Sequence, residues 1–272
     1  MKLPIDNLGY PVKLQIGEFS GSGFIINQVN QLYLVTAKHV IYQQDQITKV
    51  FNLLDKKMIM ITYPMISSEK VSSKPRIFEL NLELLSASAD LKAHEQADIV
   101  VIKLGELQKK NEIFYIDFPA SIKTIQESEG TIINYDMKGS RRFEQVQITN
   151  DIFILGYPVS LSTPEMKQID YNSPLVRKGI IAGKNYLNKS LILDCPIYGG
   201  NSGGLVLEMN ETGIGSGNIH LIGVVVQFVP FLDQWRNVKF PQLYNTNLQN
   251  SGYSVALPVD YIFDLIGEIE SN

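Results

Sequence analysis

One stretch of the chain gathers the groups that nucleophilic chemistry needs: Tyr198-Gly199-Gly200-Asn201-Ser202-Gly203-Gly204-Leu205. A serine hydroxyl stands among glycines, ahead of the apolar run Leu205-Val206-Leu207. Glycine admits backbone angles closed to other residues and lets the main chain approach a bound group closely. A loop of this kind can aim two N–H groups at one point, where a negative oxygen is held. Serine alone is a weak nucleophile, so the chemistry requires a base from elsewhere in the chain. The competing reading is a Gly-rich hairpin turn, because Gly and Asn dominate tight turns.

Two upstream segments offer the missing groups. Leu34-Val35-Thr36-Ala37-Lys38-His39-Val40 sets an imidazole at the end of a strand-like run, and Ala97-Asp98-Ile99-Val100-Val101-Ile102 sets a carboxylate directly before one. His39 has the alternative of a buried structural histidine. His94 lies in polar surroundings and reads as a loop residue; His220 opens an apolar strand and reads as structural. Asp55 and Asp90 are rival acids, but neither stands directly before a Val/Ile run. Cys195 reads as a small strand residue rather than a nucleophile. No Cys/His/Asp cluster has zinc spacing, and no Gly-rich loop precedes a Lys-Ser/Thr pair, so neither metal nor cofactor is expected.

The chain order His39, Asp98, Ser202 resembles that of the trypsin-like serine peptidases of the chymotrypsin fold, in particular bacterial ones with GNSGG in place of GDSGG. Supporting matches are Ser22-Gly23-Phe24, Leu155-Gly156-Tyr157-Pro158 and Gly252-Tyr253-Ser254-Val255-Ala256. The resemblance implies that Ser202 is the nucleophile, His39 the general base and Asp98 the group that holds the imidazole. It implies an oxyanion hole from the N–H groups of Gly200 and Ser202, and a polypeptide substrate cleaved through an acyl-enzyme. It also implies a specificity pocket with Pro196 on one wall, Val226, Gln227 and Phe228 on the other, and Gly252 near the floor. That lining has no carboxylate, so apolar or small P1 residues are expected; a shifted alignment would bring Asp194 into play. Asn201 stands where many relatives carry an Asp that pairs with a newly cut N-terminal amine. An amide cannot form that ion pair, and no Ile-Val-Gly-Gly-like start is present, so activation by N-terminal cleavage is not expected. Two alternatives stand beside a constitutive endopeptidase. One is an inactive protease-fold binding module; the other is a peptidase switched on by a protein partner in a larger bacterial stress or defence system. With no PDZ-like extension expected after residue 272, a role like that of the large heat-shock proteases is not expected.

These residues need a scaffold. The 272 residues are 44% hydrophobic, enough for one or two domains with a real core. A net charge of -4 points away from nucleic acid and from an anionic membrane surface, and a single Cys excludes an intrachain disulfide framework. There is no apolar leader and no long apolar run, so a cytoplasmic, membrane-free location is expected. Short apolar runs broken by Gly, Pro and Asn recur along the chain. The expected fold is all-β: two six-stranded antiparallel β-barrels with a C-terminal α-helix. Residues 1–115 would carry His and Asp, 116–257 would carry Ser, and 258–272 would form the helix, with Val259, Ile262, Phe263 and Ile266 on one face. Finer expectations are a hairpin of residues 49–54 with 58–61, a strand at 76–84, loops at 67–74 and 106–111, and an extra hairpin within 128–142.

Overall fold

The computed structural model describes residues 3–110, 113–158, 170, 173–211, 217–240 and 242–271. Its first half is built on one ten-stranded sheet, with two separate two-stranded ladders beside it. The order across it is Leu91–Ala93, Val100–Lys110, Gln31–Thr36, Phe19–Gln28, Pro11–Ile16, Lys57–Thr62, Arg76–Asn81 and Ile122–Gln126. Two further strands lie off this path: Ile113–Asp117 beside Val100–Lys110, and Tyr135–Asp136 parallel to Phe19–Gln28. Strand Pro11–Ile16 follows its period-two pattern: Val12, Leu14 and Ile16 are buried, Lys13 and Gln15 half-buried. The hairpin from Phe19–Gln28 to Gln31–Thr36 turns on Val29 and Asn30, both at positive φ, as a two-residue type I′ turn requires. This hairpin ends at Thr36 and delivers the short helix Lys38–Ile41, which carries His39.

The second half closes into a six-stranded barrel in the order Asp151–Gly156, Leu175–Asn185, Ser190–Asp194, Tyr244–Pro258, Gly217–Arg236, Leu205–Glu211. The run Ile152-Phe153-Ile154-Leu155 is buried throughout because its two faces meet different cores. Ile152 and Ile154 pack inside the barrel with Leu193, Cys195 and Val206. Phe153 and Leu155 join the larger core shared with the first sheet and the C-terminal helix. An uninterrupted apolar strand between two layers is the expected consequence. The helix Asp260–Glu270 buries Ile262, Leu265, Ile266 and Ile269. Its far end is pinned to the first sheet, where Tyr33 and Lys103 reach the Glu270 carboxylate at 2.8 and 2.9 Å. Among the described residues no helix is long and apolar enough to cross a membrane.

The all-β class and the terminal helix agree with the sequence, but several details differ. The first half hydrogen-bonds as ten strands rather than six. Its strands run on to Tyr135–Asp136, past residue 115, and the barrel starts at Asp151. Residues 49–54 do not pair with 58–61. Phe51–Leu53 pairs with Tyr42–Gln44, while Lys57–Thr62 pairs with Pro11–Ile16 and Arg76–Asn81. The alternating stretch at 76–84 stops being a strand at Asn81, whose side chain accepts the Leu84 N–H and caps a helix over Leu82–Ala87. Polar residues 106–110 continue the strand Val100–Lys110 instead of forming a loop, because Ile113–Asp117 pairs with them. Within 67–74 a short ladder joins Met65–Ser67 to Lys70–Val71. No hairpin forms within 128–142; Tyr135–Asp136 joins the first sheet and the 3-10 turn Met137–Gly139 follows.

Candidate active site

His39 and Asp98 are brought together at the junction of helix Lys38–Ile41 with the bend before strand Val100–Lys110. His39 Nδ1 lies 2.6 Å from Asp98 Oδ2, and the His39 main-chain N–H donates to Asp98 Oδ1 at 2.9 Å. One carboxylate therefore fixes both the ring and the backbone of the same residue. The imidazole stays open to solvent, with 47% of its side-chain surface exposed. That is not the environment of a core histidine. Asp55 and Asp90 lie elsewhere: Asp55 Oδ1 accepts the Lys57 N–H, and Asp90 Oδ2 accepts the Ser88 hydroxyl.

The Asp98 bend is itself held by a residue the sequence reading set aside. His94 Nδ1 accepts the N–H groups of Gln96 and Ala97 at 3.2 and 2.9 Å, and the His94 N–H donates to Ile99 C=O at 3.0 Å. Its ring packs edge-on against Tyr261. Lys38, beside His39, donates to Glu95 C=O at 3.2 Å and lies over the Phe51 ring. Burial pulls its ammonium below the ordinary lysine value, opposed by Asp98 and Glu95. No spacing rule marks His94. Its only signal is a histidine a few residues before the acid.

Ser202 lies on the tight loop before strand Leu205–Glu211. The loop starts with a turn in which Asn201 N–H donates to Tyr198 C=O at 3.0 Å and Gly200 has φ +90°. Only glycine fits such a turn position readily. Gly203, at φ +85°, is pressed against the hairpin that leads into the His39 helix: a Cβ there would collide with Ser22 O and Thr36 Oγ1 and lie 3.1 Å from Ala37 N. The serine loop is thus seated beside the residues that lead into His39. The Ser202 hydroxyl forms no hydrogen bond with His39 among the described residues. The N–H groups of Asn201, Gly203 and Gly204 are taken by Tyr198, Val225 and Asn201 carbonyls. Those of Gly200 and Ser202 make no hydrogen bond to another described residue. Two unused donors in a pinned loop are what a developing oxyanion needs.

A family model for the trypsin-like peptidase domain matches residues 21–215. The chain belongs to that family. Among solved structures, the chain is similar to the HtrA-type protease AlgW with a tripeptide, at 15% identity and TM-score 0.47 over 96% of this chain and 60% of that chain. It is similar to Deg5 at 16% identity and TM-score 0.47, over 95% of this chain and 90% of that one. A third is an inactive mutant form of Rv3671c from M. tuberculosis H37Rv, at 10% identity and TM-score 0.47, over 99% and 91%. The chain spans about 60% of the length of the AlgW structure it matches. No curated protein matches it.

In this chain the expected pocket residues fall on adjoining strands. Val226, Gln227 and Phe228 run along Gly217–Arg236, and Phe228 pairs with Ser254. Pro196 lies in a loop stitched to the partner strand Tyr244–Pro258 on both sides of Gly252: Asn250 Nδ2 donates to Ile197 C=O at 2.6 Å, and the Ser254 hydroxyl donates to Cys195 C=O at 2.8 Å. A cavity of about 460 Å³ adjoins Asp98 and takes in Val226 and Gln227, with Leu187 and Tyr261. Burial pushes the Cys195 thiol up to about 11, which leaves it an inert core group. His220 Nδ1 is tied to Gly139 C=O at 2.8 Å. Among the described residues, no three His, Cys, Asp or Glu side chains gather to hold a metal ion.

Proposed function

We propose that the protein is a serine endopeptidase in which Ser202 attacks a peptide carbonyl. His39 takes the hydroxyl proton as the bond forms and returns it to the leaving amine as the scissile bond breaks. Water then repeats the sequence on the acyl-enzyme. Asp98 holds the imidazole in one tautomer and stabilises its cation; the N–H groups of Gly200 and Ser202 receive the oxyanion. The observation that carries this reading is the double grip of Asp98 on an exposed imidazole. A structural role would not call for a carboxylate at that place.

The cavity beside Asp98 favours an extended chain lying along Val226 and Gln227, and the absence of an acid among Pro196, Val226, Gln227, Phe228 and Gly252 favours apolar or small P1 residues. Asn201 Oδ1 accepts the Tyr198 N–H at 3.3 Å, so the loop is tied within itself, and no cleaved terminus is needed to order it. A second reading, a peptidase resting until a protein partner engages it, rests on the open Ser202–His39 contact.

A fluorophosphonate probe tests both. Wild type is expected to label and Ser202→Ala not to. In steady state, loss of this hydroxyl should cost on the order of 10⁴ to 10⁶ in kcat. Labelling only in cell extract would favour the partner-triggered form. Equal labelling of both proteins, or none under either condition, would sink the proposal.

A further inference from the structure

Ser22 is fully buried, and all of its polar groups are engaged. Its hydroxyl donates to Gly200 C=O at 2.6 Å and accepts the Tyr157 N–H at 2.8 Å. Its N–H donates to Ser202 C=O at 2.9 Å, and its C=O accepts the Thr36 hydroxyl at 2.7 Å. One residue of the first sheet therefore grips the two loop residues whose N–H groups are unused.

The peptide planes show what the grip does. The unused N–H groups belong to peptides 199–200 and 201–202. Peptide 200–201, between them, is held at its oxygen by the Ser22 hydroxyl and at its N–H by Tyr198 C=O. Peptide 202–203 is held at its oxygen by the Ser22 N–H and at its N–H by Val225 C=O. Peptide 201–202 is also held at its own oxygen, which accepts the Gly204 N–H at 2.9 Å, and Ser22 fixes the Cα path on which both donors are mounted. The sequence makes room for this. A Cβ on Gly21 would meet Val40 at 2.7 Å, one on Gly23 would meet Val35 O at 2.9 Å, and one on Gly156 would meet Ser22 Oγ at 2.8 Å.

We infer that Ser22 is a positioning residue for oxyanion stabilisation, acting through the Gly200 and Ser202 carbonyls without touching substrate. The inference rests on the proposal that Ser202 is the nucleophile. Preorganised donors act on charge that appears only in the transition state. Loss of the Ser22 hydroxyl should therefore lower kcat and weaken transition-state analogues while leaving ground-state binding alone.

The test uses the full chain, a fluorogenic peptide that wild type cleaves, a peptide boronic acid and the matching product peptide. Removing a direct oxyanion donor costs about 10² to 10³ in kcat, so the indirect loss in Ser22→Ala should be about 30-fold. KM and product-peptide affinity should stay within about two-fold, and the boronate Ki should rise in step with the fall in kcat. Thr36→Val, which releases only the Ser22 carbonyl, should show a parallel shift of roughly three-fold. It decides the matter if Ser22→Ala does not fold. An unchanged boronate Ki in either folded variant overturns the role of Ser22, as does an equal loss of boronate and product-peptide binding. A wild type that neither cleaves peptides nor reacts with fluorophosphonate overturns the peptidase reading itself, and this role with it.

Discussion

Strand Gly217–Arg236 belongs to two regions that its side chains hardly distinguish. Around Val224 and Val225 it is fully buried, and Val225 anchors the serine loop through bonds to Gly203 and Gly204. From Phe228 outward the same strand continues, paired only with Tyr244–Pro258, into a ribbon exposed on both faces. Phe231, Leu232, Trp235, Tyr244 and Leu248 are apolar or aromatic, yet each is more than half exposed. Burial is conferred by neighbours rather than by residue type. The loop seam is built from long-range polar contacts: Ser22 and Gly200 are 178 positions apart. The ribbon is built from local register alone, and a lone two-stranded hairpin is marginal in water.

A matched pair of glycines breaks the comparison most sharply. Gly203 and Gly252 have nearly the same dihedral, φ +85° and +90°. A Cβ at Gly203 would strike Ser22 O and Thr36 Oγ1, whereas one at Gly252 meets nothing within 4 Å. Gly252→Ala should cost only backbone strain, about 1–2 kcal/mol. Gly203→Ala adds a collision with main chain and should cost roughly 4 kcal/mol or more, with loss of activity. Urea unfolding of both variants measures the gap. Equal losses would mean that the seam yields easily.

These two regions also mark where the sequence is legible. The glycine-flanked serine, the imidazole after Thr36 and the acid before Ile99 announce themselves because each chemical role restricts residue type at a short spacing. Strands such as Pro11–Ile16 and Asp151–Gly156 are readable because one or two buried faces impose a period. The ribbon is not readable: residues 228–250 mix apolar and polar positions, and nothing local says that no layer covers them. The polar end of Val100–Lys110 is hidden for the opposite reason, since its partner strand lies beyond it in the chain. Ser22 shows as a serine between glycines, but its clamp spans both halves of the fold and cannot be inferred from neighbours in sequence. His94 is hidden in the same way.

Removing the ribbon sharpens the contrast from the other side. Replacing residues 231–249 with a two-residue turn deletes exposed side chains and local pairing while keeping Val225 and Ser254 in the barrel. Stability should change by no more than about 0.5 kcal/mol, as for surface changes that leave the core intact. Native-state hydrogen exchange should show the amides of 231–236 opening far more readily than that of Val225. A loss of several kcal/mol on truncation would show that the ribbon is part of the barrel's cooperative unit.

Between the extremes lies the pin at the end of the C-terminal helix, polar like the seam but partly exposed like the ribbon. The Lys103 hydrogen bond, then that of Tyr33, holds the Glu270 carboxyl below its usual range. Tyr33 remains the donor because burial, reinforced by Glu270, pushes its hydroxyl well above the ordinary value. A depressed folded-state value means that the stabilisation is present above the unfolded carboxyl value, about 4.3, and is lost as pH falls through the folded one. With the Glu270 side chain 44% exposed, solvent screening limits the effect to roughly 0.5 kcal/mol. Glu270→Gln should therefore lower the urea midpoint slightly at neutral pH and not at all once the carboxyl is protonated. A deficit that persisted unchanged into acid would assign the loss to side-chain packing rather than to charge, and would move this contact to the seam's side of the comparison.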